Sequence, residues 1–450
     1  MAGEKKRSSI AITSHADPRT WQHCYSCSAS SSTMATSLPP GLFPVMLTPF
    51  NEDKSVDFEG LKALTNWYID SGASGLFTVA QSSEMHSMTP AERLAVAKCV
   101  LEAAGGRVPV VASGTFPPLG AKGAGIEEQA ASVRDMAATG VAAVVVLACC
   151  MAQEGEEEEV FKANVAALME RTPGVVLGQY ECPVPYHRKC SAETLSWIAK
   201  SGRFSFHKDT SRFYPLITDK MAAIRSAELP ASNPFRFYNG NVTTLSHSLA
   251  EGGAGCGVVC ANFYPHIVAW ICRRYHDADT ALVAKVQRFL SVADTTVKDH
   301  YPASAKTYCS EQLGLPIGNG AREGKAFPPA GGAPGDEMRL RHAALKVMAD
   351  ELSAELVTED ARLDAQKGEL AAAFGALSGD FAAEHYQDMA KAAAFGALAG
   401  KPAVEHYEQN AKAAAFGALA GKPADKHYEG KVKGAAFEAL KPSKGADPVD

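Results

Sequence analysis

Short apolar runs recur along the first 260 or so residues of this chain, and most are followed by a stretch in which hydrophobic positions return every three or four residues. The runs fall at 44–48, 75–80, 108–113, 143–148, 175–180, 204–208, 235–239 and 256–261. Most are bounded on at least one side by Gly, Pro, Asn or Ser. Helical period follows at 58–69, 91–104, 127–138, 157–169 and 192–199. Near-continuous apolar strands alternating with amphipathic helices predict a parallel sheet covered by helices. Eight such units in about 240 residues predict a closed (β/α)8 TIM barrel rather than an open doubly wound sheet. No Gly-x-Gly-x-x-Gly turn follows the first strand, which also argues against a dinucleotide fold.

A barrel of this kind places its chemistry at the carboxyl ends of its strands. Those ends carry Thr48, then Gln81, Ser82, Ser83 and Glu84, then Tyr180, Lys208, Asn239, Asn241 and Asn262. Hydroxyls, a phenol, an amine and amides converge on one face, with no His/Cys/Asp cluster of metal-ligand spacing. Lys208 stands out because it ends an aromatic-rich run, Phe204-Ser-Phe-His-Lys208. A cation is costly among apolar neighbours, and the same desolvation makes a lysine amine nucleophilic toward a ketone. The bland alternative pairs Lys208 with Asp209 or Glu84. Tyr180 has a bland reading as a core aromatic, Ser82 and Ser83 as a helix cap near Pro90, and Asn241 and Asn262 as turn residues.

Taken in order, these segments resemble the dihydrodipicolinate synthase / N-acetylneuraminate lyase family of pyruvate-dependent class I aldolases over 38 to about 350. The carriers are the first strand ending Leu47-Thr-Pro-Phe50, the loop Ala80-Gln-Ser-Ser-Glu84, Tyr180-Glu-Cys-Pro183, and His207-Lys-Asp-Thr210. Tyr238-Asn-Gly-Asn241 and 252–262 complete the series. The resemblance implies that Lys208 forms a Schiff base with pyruvate or another 2-oxo acid and that Tyr180 relays protons. It implies further that Ser82, Ser83 and Gln81 hold the carboxylate, and that Thr48 helps orient Tyr180. Asn241 and Asn262 would face the second substrate, an aldehyde, and Arg188 is the nearest match to the family's arginine. Neither metal nor organic cofactor is implied, and homo-oligomers are. The chain departs from the family's synthases after the fourth strand, where Cys149, Cys150 and Met151 replace consecutive tyrosines. The implied activity is therefore a lyase or aldolase of divergent substrate choice. The alternatives are 4-hydroxy-tetrahydrodipicolinate synthase proper, or an idle barrel serving as an oligomeric hub.

Composition sets the outer bounds. With 450 residues, 46% of them hydrophobic, the chain can bury a large core. Its net charge of −6 argues against nucleic acid, and no apolar run reaches the roughly 18 residues that span a bilayer. Eleven cysteines, several inside predicted strands, read as free thiols. Residues 1–37 are Ser-rich with Lys5-Lys6-Arg7, and they read as a disordered or targeting extension, leaving cytoplasm and organelle (plastid or mitochondrion) both open. The barrel is expected over 38–300 and a helical extension over 301–366. A tail over 367–450 repeats every 21 residues, at 371–391, 392–412 and 413–433, with Phe374, Phe395, Phe416 and Phe437 in register. The tail reads as loosely connected Ala-rich helices, either a multivalent binder of a protein partner or a solvated extension with none.

Overall fold

A computed structural model of the chain describes residues 38–117, 125–230 and 234–378, with side chains to 369. The N-terminal extension and all but the first few residues of the repeats lie outside the described residues. Strands and helices alternate through the described chain. The first half runs β1 (Gly41–Leu42), α1 (Phe58–Asp70), β2 (Leu76–Thr78), α2 (Pro90–Ala104), β3 (Val110–Ser113), α3 (Ile126–Ala137), β4 (Ala143–Leu147) and α4 (Glu158–Arg171). The second half runs β5 (Leu177–Tyr180), α5 (Ala192–Lys200), β6 (Phe204–Asp209), α6 (Tyr214–Ser226), β7 (Arg236–Asn239), α7 (Leu245–Ala250), β8 (Gly255–Cys256) and α8 (Pro265–Arg274). Three further helices follow, α9 (Thr280–Val297), α10 (Ala303–Thr307) and α11 (Ala333–Ser378).

All eight strands are parallel, in the order β1-β8-β7-β6-β5-β4-β3-β2. The ring closes between its ends through a bridge from Val45 to Phe77. This is a (β/α)8 barrel. The first strand differs from its expected span of 44–48. Gly41 and Leu42 pair with β8, and the chain then turns to β2, where Met46 N donates to Phe77 O at 2.9 Å and Phe77 N to Pro44 O at 3.0 Å. Pro44 has no N–H to continue the β8 ladder, so the first strand changes partner there.

Local signals set the helix ends. Thr89 caps α2 and exchanges bonds with Glu92 in a capping box, Pro90 opens the helix, and Gly105 closes it at φ +56°. Asp57, Ser191 and Asp279 cap α1, α5 and α9, each side chain accepting from the backbone N–H three residues on. Helix α11 lies on α8, where Asp360 accepts from Trp270 Nε1 at 3.1 Å and from Arg274 Nε at 2.7 Å. Among the described residues no helix is long and apolar enough to cross a membrane.

The inside of the ring is filled by alternate residues of each strand. Gly178 in β5 lies beneath the Phe206 ring of β6, and a Cβ added there would run into that ring. Gly178→Ala is therefore expected to destabilise the barrel by about 1–3 kcal/mol through overpacking, read as a lowered denaturant midpoint. An unchanged midpoint would show that Phe206 has room to move.

Candidate active site

Strands β5 and β6 are in register with Tyr180 opposite Lys208. Parallel neighbours in register share a face, so both side chains point into the ring, whereas His207 and Asp209 point out toward α6. Lys208 is only 4% exposed. Its Nζ lies 4.1 Å from the Tyr180 ring centroid and 5.1 Å from that of Phe77. Phe43, Val111, Phe206 and Tyr238 line the small cavity around it. A Cβ at Gly257 would stand 3.8 Å from Nζ, so that glycine leaves space beside the amine. Burial among these groups pushes the Lys208 amine down to about 7, against a weaker upward pull from the Cys182 and Cys256 thiols. Near neutrality, roughly 10³-fold more of it is uncharged than for an ordinary lysine.

Neither carboxylate that could neutralise Lys208 is available to it. Asp209 Oδ2 and Glu181 Oε1 each accept from Lys220 Nζ at 2.6 Å, outside the ring and fully buried. Burial alone would raise the Asp209 carboxyl, but His207 and Lys220 hold it below the usual carboxylate range. Burial would likewise lower Lys220, but Glu181 and Asp209 hold its ammonium above the usual lysine value. Donor atoms of Glu181, His207 and Asp209 lie within 4.8 Å of one another, a spacing that suits a cation. The Lys220 ammonium already bridges the two carboxylates there.

Glu84 is held just as firmly. It sits in the left-handed region at φ 58° and pairs with Lys306. It also accepts from the backbone N–H groups of Arg322 at 2.5 Å and Glu323 at 2.6 Å. Burial lowers Lys306 to about 8, with Glu84 opposing that shift. Among the described residues no carboxylate forms an ion pair with Lys208.

The remaining candidates are placed unequally. Ser83 Oγ donates to Met46 O at 2.7 Å and accepts from Ala80 N at 3.0 Å, so its hydroxyl ties the loop to the first strand. Gln81 Oε1 accepts from Cys182 Sγ at 3.3 Å, joining the β2 loop to the segment after Tyr180. Ser82 is buried in the same loop. The helix cap near Pro90 is Thr89 rather than Ser82 or Ser83. The Thr48 hydroxyl is buried without a hydrogen-bond partner among the described residues. Asn241 Nδ2 donates to Thr243 Oγ1 at 2.7 Å within its own turn. Asn262 is wholly buried and joins β8 to the first strand through Val45 O at 3.1 Å. Arg188 is engaged beyond β4, donating to Gln153 O at 2.8 Å and Glu156 O at 2.6 Å.

Burial raises the Tyr180 phenol well above its ordinary value, with the Cys182 thiol adding to the shift. Two neighbours of this pair were not among the candidate residues. Cys182 follows Tyr180 by two residues and contacts Gln81, but a lone thiol beside a proline has no distinguishing pattern. Tyr301 enters from the loop between α9 and α10, which has neither strand nor helix period.

Comparison with known proteins gives a consistent result. A model of the dihydrodipicolinate synthetase family matches residues 38–326. The 4-hydroxy-tetrahydrodipicolinate synthase of Gluconacetobacter diazotrophicus is 27% identical over 311 residues, covering 69% of this chain and 97% of its own. A DapA-like lyase of Rhizobium meliloti is 27% identical over 258 residues, covering 56% of this chain and 77% of its own. Among solved structures, a dihydrodipicolinate synthase family protein from Coccidioides immitis superposes with a TM-score of 0.59 at 20% identity, covering 70% of this chain and 99% of its own. The prophage protein YagE from E. coli K12, solved in complex with pyruvate, gives 0.57 at 20% identity, covering 70% and 98%. These two share the fold.

Two variants test the charge arrangement. Lys208 has a folded value near 7, below that of the unfolded chain. Below pH 7 the folded state therefore carries a buried cation, and the penalty fades as pH rises toward the unfolded value. Lys208→Met is expected to stabilise the protein by on the order of 5 kcal/mol near pH 6 and about 2 kcal/mol near pH 9, read from denaturant midpoints. A gain that does not shrink with rising pH would rule out a buried amine. Lys220→Met leaves Glu181 and Asp209 buried without their cation and is expected to destabilise by about 3–5 kcal/mol. A midpoint close to that of the parent would show that the carboxylates find another partner.

Proposed function

This chain belongs to the dihydrodipicolinate synthetase family, and from that membership we propose a Schiff-base lyase or aldolase in which Lys208 attacks pyruvate or a related 2-oxo acid. The observation that carries the reading is the Lys208 amine, buried in the ring and free of any ion pair with a carboxylate among the described residues. Its lone pair would add to the keto carbon while the carbonyl oxygen takes a proton, giving a carbinolamine. Loss of that hydroxyl as water leaves an iminium. The positive nitrogen then draws the electrons of an adjacent carbon–carbon or carbon–hydrogen bond into an enamine, which a proton or an aldehyde carbon can capture.

The surroundings support each step. Tyr180 stays protonated at neutral pH because burial raises it, so it can donate to the departing hydroxyl and recover the proton. Positioned transfer of this kind is worth roughly 10²–10⁴-fold. The faces of Tyr180 and Phe77 next to Nζ favour the iminium, which is a full cation where the resting amine is about half neutral near pH 7. Ser82 and the N–H groups of the β2 loop would hold the carboxylate and place the keto carbon at the amine.

The acceptor half is read differently from that of the synthases. Cys149, Cys150 and Met151 follow β4, and Arg188 is occupied with backbone carbonyls. The tyrosine and arginine that the resemblance assigns to condensation with aspartate semialdehyde thus have no clear counterpart. We therefore place the activity on a 2-oxo acid with an aldehyde other than the synthase's own.

Borohydride reduction in the presence of pyruvate tests the reading. The reduced adduct is expected on the peptide carrying Lys208, with a trapping rate that rises through about pH 7 as the amine loses its proton. An adduct confined to Lys306, or none where a control aldolase is trapped, would overturn it and favour the hub.

A further inference from the structure

The β2 loop is strained at both ends. Val79 enters it at φ 50° and Glu84 closes it at φ 58°. The left-handed region is unfavourable for any side chain, and most of all for a β-branched valine. Between the two lies one tight turn, Gln81–Ser83, the stretch that the Schiff-base reading places at the substrate carboxylate. A strained turn keeps its shape only where its surroundings over-determine it. At the Val79 end the Ser83 hydroxyl does so, through Ala80 N and Met46 O. At the Glu84 end the partners come from beyond the barrel's strands. Lys306 Nζ, from α10, pairs with Oε1, and both side chains are fully buried. Oε2 accepts from Arg322 N and Glu323 N at 2.5 and 2.6 Å. Lys306 Nζ also donates to Gly320 O at 2.8 Å and lies 4.4 Å from the Phe50 ring centroid. The Arg322 guanidinium covers the same ring at 4.3 Å and donates to Glu92 Oε1 at 2.7 Å. The mechanism above uses none of these groups.

We propose that Lys306 is a positioning residue, which by neutralising Glu84 holds the β2 loop in the shape that receives the substrate carboxylate. Without the ammonium, Glu84 is a buried carboxylate held by two N–H groups alone. Such a group takes up a proton or turns toward water. A protonated carboxyl accepts weaker hydrogen bonds, and a turned one releases the left-handed backbone. A Glu84 that stayed charged would stand two residues from Ser82 and repel an incoming anion. The Lys208 amine is insulated from these changes, since the rings beside it, Tyr180 and Phe77, stand on β5 and β2. The proposal rests on the Schiff-base reading and makes the segment after the barrel part of the site.

The test uses the full chain with borohydride, reading the adduct on the Lys208 peptide against pyruvate concentration. In Lys306→Met the half-saturating pyruvate concentration is expected to rise about 10-fold, the loss of one hydrogen bond between the loop and a charged group. The maximal trapping rate should stay as in the parent, because only binding is weakened. Acetone, a ketone with no carboxylate, should be trapped by the variant as fast as by the parent. Adding Glu84→Gln removes the stranded charge while keeping an acceptor for the two N–H groups, so the double variant should recover to within about 3-fold of the parent. Should Lys306→Met fail to fold, Lys306→Gln, which keeps a donor for Gly320 O without the charge, repeats the measurement. Parent-like saturation in the variant that folds would overturn the assignment. So would an equal loss with acetone, which marks a general disturbance of the site, or a double variant as weak as the single one. If the parent itself traps no 2-oxo acid, the Schiff-base reading fails and this proposal falls with it.

Discussion

Everything functional in this barrel depends on how a few buried charges are shared out. Three lysines are buried among the described residues, Lys208, Lys220 and Lys306. Two of them have carboxylates at bonding distance and keep their protons close at hand. The third faces aromatic rings. Had Asp209 turned inward, it would have paired with Lys208 and held it charged, and no nucleophile would exist at neutral pH. The Lys220 ammonium prevents this by holding Asp209 and Glu181 together on the outer face. A buried carboxylate pair with no cation is far less stable than one bridged at 2.6 Å on each side.

The alternation of a β-strand does the sorting. Along β6, Phe206 and Lys208 face the ring and His207 and Asp209 face α6, so adjacent residues of opposite charge never meet. The parallel register then brings Tyr180 beside Lys208 without any loop having to place it. Chemistry built on paired strands is held more rigidly than chemistry on loops. The β2 loop is the exception, and the structure compensates for it. Glu84, in a left-handed conformation, is pinned by Lys306 and by two N–H groups more than 230 residues further on. The segment after the barrel thereby fixes the loop in which Ser82 lies.

Much of this was legible along the chain, for identifiable reasons. Continuous apolar runs and helical periods located six of the strands within two residues, because burial on both faces leaves a strong local mark, whereas the run at 256–261 overlaps β8 only at Cys256. Strand-end logic then selected Lys208 and Tyr180. The first strand was misplaced because its change of partner at Pro44 depends on two neighbours distant in sequence. Glu84 was legible as a strand-end residue, but its partners were not, since Lys306 lies 222 residues away. Arg188 was the nearest candidate for the family's displaced arginine, and carbonyls of Gln153 and Glu156 hold its guanidinium.

The amino-acid order by itself determined the repeating strand–helix unit, the number of those units and the identity of the lysine, because these follow from local periodicity and from residue type at strand ends. Tertiary structure alone decided which carboxylate neutralises which lysine, and therefore which amine is left uncharged. It also decided that a phenol from outside the strands, that of Tyr301, reaches Asn262. Such choices are set by distances between residues far apart in the chain, and charge pairing falls off too steeply with distance to be read from spacing.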